Sequence, residues 1–141
     1  MKASVRFTVL VGTCIAVAAV AVPAGAARLT CGGQIPTIRG SKRDDVIRGT
    51  NGRDVVLARA GADVVRGMGG DDVICGGAGN DRLVAGRGAD LVKGGQGRDV
   101  LTGARGRDQL QGSGGADVLR AGGGSFDFLF GGTGRDRLSG G

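Results

Sequence analysis

An aliphatic residue recurs every nine positions along most of the chain, and the pattern resumes after one extra residue near the end. The row consists of Ile47, Val56, Val65, Ile74, Leu83, Val92, Leu101, Leu110, Leu119, Leu129 and Leu138. With 32 glycines in 141 residues, the composition alone is compatible with either disorder or a special backbone geometry. A fixed period decides for the second, because periodic sequences are typical of repeat architectures.

Two further rows keep the same period. An aspartate precedes each aliphatic residue by two positions, at Asp45, Asp54, Asp63, Asp72, Asp81, Asp90, Asp99, Asp108, Asp117, Asp127 and Asp136. A glycine precedes each aspartate by two positions, with breaks only at Arg43 and Ser125. Three coincident rows establish about eleven nonapeptide repeats.

The repeat unit is G-G-x-G-x-D-x-U-x, where U is aliphatic, and it is most complete from Gly76 to Val84. Up to three glycines with access to positive φ favour a six-residue turn, and the three residues centred on U favour a short strand. Two nonapeptides then complete one coil of 18 residues. Stacked coils, about 4.8 Å apart, place the U side chains of two sheets in one thin core, which Ile38 starts.

The 18-residue coil also stacks the aspartates on two flanks. Asp45, Asp63, Asp81, Asp99 and Asp117 share one flank, and Asp54, Asp72, Asp90 and Asp108 share the other. Carboxylates stacked in this way repel one another. A divalent cation between adjacent turns reverses the sign of that interaction, and glycine lets backbone carbonyls complete an oxygen shell.

The nonapeptide resembles the calcium-binding repeat of the repeats-in-toxin (RTX) family, over roughly residues 38–141. The resemblance implies an all-β fold, a right-handed parallel β-roll or β-solenoid with two repeats per coil. It also implies several Ca²⁺ ions, each held by aspartates and turn carbonyls of two repeats one coil apart.

By that correspondence the candidate metal ligands are all eleven periodic aspartates, together with the turn carbonyls of Gly67, Gly76 and Gly94. The pairs that we expect to share an ion are Asp63 with Asp81, Asp81 with Asp99, Asp54 with Asp72, and Asp72 with Asp90. Folding and calcium binding are then one event.

The chain departs from the family's pattern at several turn positions. Only Asp44, Asp71 and Asn80 supply the Asn or Asp that often precedes the periodic aspartate, and arginine or alanine stands there in other repeats. Second-position glycine is replaced in six repeats, by Ser41, Thr50, Arg59, Met68, Ala104 and Ser113. We therefore expect the best sites in the central turns, from Gly67 to Asp99.

The arginines beside the aspartate rows support a rival hypothesis. Guanidinium groups such as those of Arg53, Arg98 and Arg107 would neutralise the carboxylates by ion pairing and leave calcium weak or unnecessary. Exposed ion pairs contribute only ~0 to 1 kcal/mol each, which argues against a full replacement of the metal.

The amino-acid composition limits which catalytic side chains the protein can use. The chain has no His, Glu, Trp or Tyr, so histidine-dependent nucleophiles and glutamate acids are excluded, and we do not expect the protein to be an enzyme.

The formal charge of the chain is +6. Aromatic residues that stack on bases are not interleaved with the basic ones, so nucleic acid is not an expected partner, and a cell-surface or cell-wall polyanion fits better.

The N-terminus is typical of a secretory signal. Lys2 and Arg6 precede an apolar run that ends before Ala24-Gly25-Ala26, so we expect residues 1–26 to be cleaved and the protein to be secreted and extracellular. The run is too short to span a membrane, and no transmembrane segment is expected in the mature chain. Residues 27–37 form an N-terminal segment, and residues 38–141 form the calcium-binding β-roll.

Two cysteines remain after cleavage, Cys31 and Cys75, and an oxidising compartment favours a disulfide between them. Residues 31–38 must then run back beside the stack. Two unpaired thiols are the alternative.

Apolar residues also precede many of the U positions, where strand alternation turns them outwards. Most of these residues reflect only the β-propensity of the strands. The stretch from Phe126 to Phe130 contains the inserted residue, and it is interpreted as a cap that closes the solenoid or else as a patch that binds a partner.

The predicted function is a secreted, non-catalytic calcium-binding repeat protein. The alternative is a calcium-independent adhesive or self-assembling β-solenoid, and an oligomer is compatible with both.

Overall fold

Residues 30–141, which the computed structural model describes, form a parallel β-solenoid of twelve strands without a helix. The predicted signal segment and residues 27–29 lie outside this range. The strands are β1 (Ile38–Arg39), β2 (Val46–Arg48), β3 (Val55–Ala60), β4 (Val64–Gly69), β5 (Val73–Ala78), β6 (Arg82–Arg87), β7 (Leu91–Gln96), β8 (Val100–Arg105), β9 (Gln109–Gly114), β10 (Val118–Gly123), β11 (Phe128–Thr133) and β12 (Arg137–Ser139). No helix in this part of the chain is long and apolar enough to cross a bilayer.

Successive strands alternate between two six-stranded sheets. The odd sheet has the order β1-β3-β5-β7-β9-β11, and the even sheet the order β2-β4-β6-β8-β10-β12. Val65 pairs with Leu83, one 18-residue coil later, which confirms two repeats per coil. After the extra residue the spacing becomes 19, as between Leu110 and Leu129. The insertion therefore lies in the turn before β11, and the ladder itself stays in register.

The aliphatic row forms the core as predicted. Residues from both sheets meet in one cluster, and most of the U side chains, such as Leu83 and Leu101, are fully buried. Ile38 belongs to this cluster and pairs with Val56, so it starts the ladder. At the other end Leu138 is 50% exposed because the described chain places no further coil over it.

The strands are longer than predicted in most repeats. A three-residue strand and a six-residue turn occur at β2 and the turn 49–54, but from β3 to β11 the strand has six residues. The strand pairing continues through the second and third positions of the repeat, as between Arg59 and Gly77. The amide of Gly79 even donates to the carbonyl of Gln96 at 2.8 Å, so the backbones of adjacent turns bond directly.

This extension depends on the second position of the repeat, which takes a positive φ. Glycine adopts it readily at Gly77, Gly86 and Gly95. Where glycine is replaced, other residues are forced into the same region, at Arg59, Met68, Ala104 and Ser113, with φ between 87° and 94°. Backbone strain at such positions costs on the order of 1 kcal/mol each.

The N-terminal segment runs back along the outer face of the odd sheet. Cys31 and Cys75 form a disulfide with a Cα–Cα distance of 5.7 Å, which confirms the predicted pairing. Cys31 packs with Val55, Leu57 and Val73 in a second apolar cluster, so outward valines on this sheet are covered. The crosslink closes a loop with a sequence separation of 44, which stabilises the fold by about 4 kcal/mol in the chain-entropy model.

The aromatic stretch does not cap the solenoid. Phe128 and Phe130 lie on the outer face of β11, on either side of the inward Leu129, and are 43% and 61% exposed. Phe126 is 80% exposed, in the turn that absorbs the insertion. The end-capping interpretation is therefore wrong, because strand alternation turns these side chains outwards and not over the last coil.

We expect Ala104→Gly to stabilise the protein by about 1 kcal/mol, because it relieves a positive φ of 88°. Gly95→Ala is the matched opposite change, since its β-carbon would collide with the carbonyl of Gly77. Urea unfolding followed by circular dichroism measures both. A loss of stability in Ala104→Gly would contradict this view of the turns.

Candidate metal centre

Nine aspartates, one in each of nine successive repeats, point into the solenoid and are buried. They are Asp45, Asp54, Asp63, Asp72, Asp81, Asp90, Asp99, Asp108 and Asp117. Each stands immediately before a strand, where inward and outward positions begin to alternate, so the aspartate and the aliphatic residue two positions later share the inner face. Asp99, Asp108 and Asp117 are fully inaccessible to solvent.

The aspartates form two columns along the solenoid axis, and hydrogen bonds define them. The first column is Asp45, Asp63, Asp81, Asp99, Asp117 and Asp136, and the second is Asp54, Asp72, Asp90, Asp108 and Asp127. In each step the backbone N–H of one aspartate donates to Oδ1 of the aspartate one coil later. The N–H of Asp63, for example, donates to Oδ1 of Asp81 at 2.9 Å.

All four predicted pairs are neighbours in these columns. Asp81 donates to Asp99, Asp54 to Asp72, and Asp72 to Asp90, each at 2.8 Å. Asp127 and Asp136 accept the last bond of each column and are only half-buried.

The second carboxylate oxygen is unsatisfied in seven of the aspartates. Oδ2 is buried without a hydrogen-bond partner in Asp63, Asp72, Asp81, Asp90, Asp99, Asp108 and Asp117. Buried polar atoms are normally hydrogen-bonded, and a buried carboxylate oxygen without a donor is costly. Seven such oxygen atoms in two columns would be stabilised by bound cations or by protonation.

Asp45 and Asp54 differ, because side chains of their own turns satisfy them. The backbone N–H and hydroxyl of Ser41 donate to Oδ2 of Asp45 at 2.6 and 3.0 Å. Thr50 makes the same two bonds to Asp54, at 2.7 and 3.0 Å. These are the repeats with six-residue turns. Ser113 also stands in the second position, but its φ is positive and Oδ2 of Asp117 stays unsatisfied, so the backbone of the turn decides whether the hydroxyl reaches the carboxylate.

Burial raises the pKa of the column carboxyls. The pKa rises from the usual 3.8 to about 6 in four of them: Asp63, Asp72, Asp99 and Asp108. Desolvation is the largest cause, the backbone hydrogen bond to Oδ1 lowers the pKa in part, and neighbouring carboxylates raise it again. The pKa values of Asp81, Asp90 and Asp117 are raised too, again mainly by burial.

Backbone carbonyls lie close to the unsatisfied oxygens. A β-carbon added to Gly76 would collide with Oδ2 of Asp81 and lie 2.7 Å from the carbonyl oxygen of Gly94. At Gly67 the same construction meets Oδ2 of Asp72 and the carbonyl oxygen of Ala85. Glycine in the first position therefore leaves room where a carboxylate oxygen and a carbonyl oxygen of the next coil converge, and both are the hard oxygen donors that calcium prefers.

The three predicted carbonyl ligands are placed differently from the expectation. Gly67, Gly76 and Gly94 lie inside β4, β5 and β7, not in turns, because the strands extend through the first position. The carbonyl oxygens of Gly67 and Gly94 still approach first-position glycines one coil earlier. Within residues 30–141, no three His, Cys, Asp or Glu side chains converge on a point, so a calcium ion held here would need main-chain oxygens or water as further ligands.

The arginines do not neutralise the seven unpartnered Oδ2 atoms, because none of these oxygens receives a hydrogen bond. Arg53 donates instead to Oε1 of Gln34 at 2.7 Å, and Arg107 lies over the ring of Phe128, 5.6 Å from its centroid. The rival hypothesis of neutralisation by ion pairing is therefore wrong for these carboxylates.

A second, shorter ladder follows the residue before the periodic aspartate. Oδ1 of Asp44, Asp71 and Asn80 accepts the backbone N–H of the residue one coil later, at 2.7 to 2.8 Å. The sequence pattern indicates no role for these three residues. It indicates none for Ser41 and Thr50 either, because Ser113 has a hydroxyl in the same position without a bond to its aspartate.

Six overlapping segments of the chain match the family model of the RTX calcium-binding nonapeptide repeat. They are residues 37–65, 48–83, 57–92, 76–110, 93–125 and 121–141. No curated protein and no solved structure matches the chain. Since the matched segments extend over the whole solenoid, the chain belongs to the RTX calcium-binding nonapeptide repeat family.

Proposed function

We propose that this protein is a secreted, non-catalytic repeat protein that folds around several Ca²⁺ ions held along its two aspartate columns. Calcium binding is the general property of its repeat family. The observation that carries the proposal is the set of seven buried, unpartnered carboxylate oxygens.

The columns need a counter-charge inside the solenoid. Burial and, to a lesser extent, like charges at coil spacing destabilise the ionised carboxylates, and their raised pKa values express that cost. A divalent cation near Oδ2 would attract both neighbouring carboxylates and accept a carbonyl oxygen as a further ligand. Because ions bound only to the folded chain stabilise it by mass action, calcium binding and folding are coupled.

The aspartates along the columns differ in how well we expect them to bind calcium. We assign the main sites to the aspartates with an unpartnered Oδ2, from Asp63 to Asp117. Asp45 and Asp54 are weaker candidates because Ser41 and Thr50 already donate to them. Asp127 and Asp136 are weaker because water reaches these half-buried carboxylates.

Secretion and the lack of catalysis are part of the same proposal. The apolar N-terminus of residues 1–26 and the disulfide between Cys31 and Cys75 fit an extracellular protein. Proteins with such repeats are typically extracellular. A composition without His or Glu excludes histidine-activated nucleophiles and glutamate acids or bases, which supports a structural role.

A second candidate function is calcium-independent self-assembly or adhesion. The exposed rings of Phe126 and Phe130 and the exposed Leu138 all lie in the last coil, next to the free edge of β11 within the described residues. Strand edges of this kind can pair with another chain. Light scattering of calcium-free protein separates the two candidates, because self-assembly then requires no ion.

Calcium titration of calcium-depleted protein, followed by circular dichroism and calorimetry, tests the main proposal. We expect a gain of β-structure with uptake of several ions. In the double variant Asp81→Asn/Asp99→Asn, Oδ1 remains an acceptor but the buried charges are lost. We expect it to gain about 1 to 3 kcal/mol of stability without calcium, to bind fewer ions than the wild type, and to lose the calcium-dependent stabilisation that its own column contributes.

Asp71→Asn is the matched control, because Asn80 already makes the equivalent bond in its own repeat. Its calcium response should stay much closer to that of the wild type than the response of the double variant does, because only a neighbouring charge of Asp72 and Asp90 is lost. Equal calcium responses in the double variant and the wild type would show that the columns are not the site.

The pH dependence of stability provides an independent test. Folded pKa values of about 6 lie above the unfolded 3.8, so the folded state holds more protons between these limits. The free energy of unfolding of calcium-free protein should therefore be greatest below pH ~4 and fall as the pH rises to ~6. Thermal unfolding at pH 4.5, 5.5 and 7.0 measures this.

Calcium competes with those protons, so its stabilising effect should grow over the same pH interval. A melting temperature of calcium-free protein that rises from pH 4.5 to 7.0 would contradict the assignment of these carboxyls as unpaired.

A further inference from the structure

Every strand of the even sheet carries at least one exposed arginine. The seven arginines, here called the arginine face, are Arg48 on β2, Arg66 on β4, Arg82 and Arg87 on β6, Arg105 on β8, Arg120 on β10 and Arg137 on β12. Five of them occupy the outward positions that alternate with the buried core residues, whereas Arg87 and Arg105 are the exposed last residues of β6 and β8. The face therefore follows the whole length of the described solenoid.

No acidic residue interrupts this face. Its other outward positions hold uncharged residues such as Val64, Val84, Thr102 and Val118. None of the seven arginines has an ion-pair partner in the part of the chain that the structure describes. The odd sheet contrasts with it, because it has only Arg39, Arg59 and Lys93, and the N-terminal segment covers part of its outer surface.

The fold separates the two signs of charge. Nine of the thirteen aspartates are buried, whereas none of the sixteen lysines and arginines in residues 30–141 is. Only Asp44, Asp71, Asp127 and Asp136 remain to balance the basic residues at the surface. Residues 30–141 therefore have only a small excess of basic side chains, but basic side chains dominate the outer surface that a ligand would meet.

The spacing of the arginine face suits an extended polymer. Adjacent strands lie about 4.8 Å apart, so six strands present arginines along roughly 24 Å. A linear polysaccharide with sulfate or carboxylate groups has charges at a comparable interval along its chain. Guanidinium groups bind such planar or tetrahedral anions through paired hydrogen bonds.

We propose that the arginine face binds a linear anionic polysaccharide that lies along the solenoid axis. A polysaccharide fits better than a nucleic acid, because no strand of the even sheet carries an aromatic residue on which bases would stack. This surface is distinct from the aspartate columns, since it faces outwards and involves none of their side chains. Its binding does not depend on the calcium proposal.

Heparin, a linear sulfated polysaccharide, is the probe for the test. Its dissociation constant is measured at several salt concentrations, in excess calcium, with the full chain. In the face variant Arg66, Arg82, Arg105 and Arg120 are changed to Gln. The matched control changes Arg53, Arg59, Lys93 and Arg107 to Gln, which removes the same charge from the odd sheet and its turns.

We expect the face variant to lose at least tenfold in heparin affinity, with a weaker salt dependence, and the control to lose less than threefold. Replacing the four face arginines by Lys keeps the charge and should cause an intermediate loss, because the paired hydrogen bonds disappear. Circular dichroism verifies that each variant is folded, and the Lys variant carries the comparison if the Gln variant is not.

Two results would overturn the proposal. Equal losses in the face variant and the control would mean that heparin responds to net charge and not to this face. Binding of a single-stranded oligonucleotide as tight as that of heparin at matched charge would make nucleic acid the better ligand class.

Discussion

The structure depends on the burial of aspartates in a solenoid that offers them too few donors. In seven repeats the carboxylate gives one oxygen to the backbone of the preceding coil and leaves the other without a partner. The first bond fixes the register between coils. The second oxygen makes the same fold costly at neutral pH, and this is the physical reason for the proposed dependence on a cation.

The thin core adds to the reasons for proposing that dependence. Most repeats bury one aliphatic side chain in the core, and first-position residues add only glycine or alanine such as Ala58 and Ala85. Ordering many glycines is expensive, so the margin of stability is small. The disulfide and the N-terminal segment reinforce one outer face. Neither reaches the aspartate columns, and the charge in the interior still has to be compensated.

The inward orientation of the aspartates also determines which residue types remain on the outer surface. Since most of the acidic residues are inside, the outer positions are left to arginine and to small or apolar residues. Periodicity thus creates two one-dimensional arrays, with carboxylates along the interior and guanidinium groups along the even sheet. The first array suits small cations, and the second suits an extended anion.

The sequence was sufficient to predict the repeat, the two sheets, the core and the neighbours in each column, because one strict period determines them all. The disulfide followed from the compartment and from the reach of residues 31–38. The length of the strands was not predictable from glycine positions, since a positive φ at Gly77 or Met68 is compatible with a continued ladder as well as with a turn.

Other details depended on side-chain geometry. Whether Ser41 and Thr50 donate to an aspartate, and whether Phe128 faces outwards or over the end, is decided by the local backbone. The composition of the turns does not reveal it. The arginine face was hidden for a similar reason, because its members occupy three different positions of the repeat and share a surface only after folding.

The most direct test of the central claim is the number of calcium ions bound by the folded protein at pH 7, measured by native mass spectrometry of the disulfide-bonded chain. We expect several ions to bind together, since each one organises carboxylates from adjacent coils. A folded, β-rich protein that binds none would show that its buried carboxylates are stable without a metal and would contradict the proposed role of the columns.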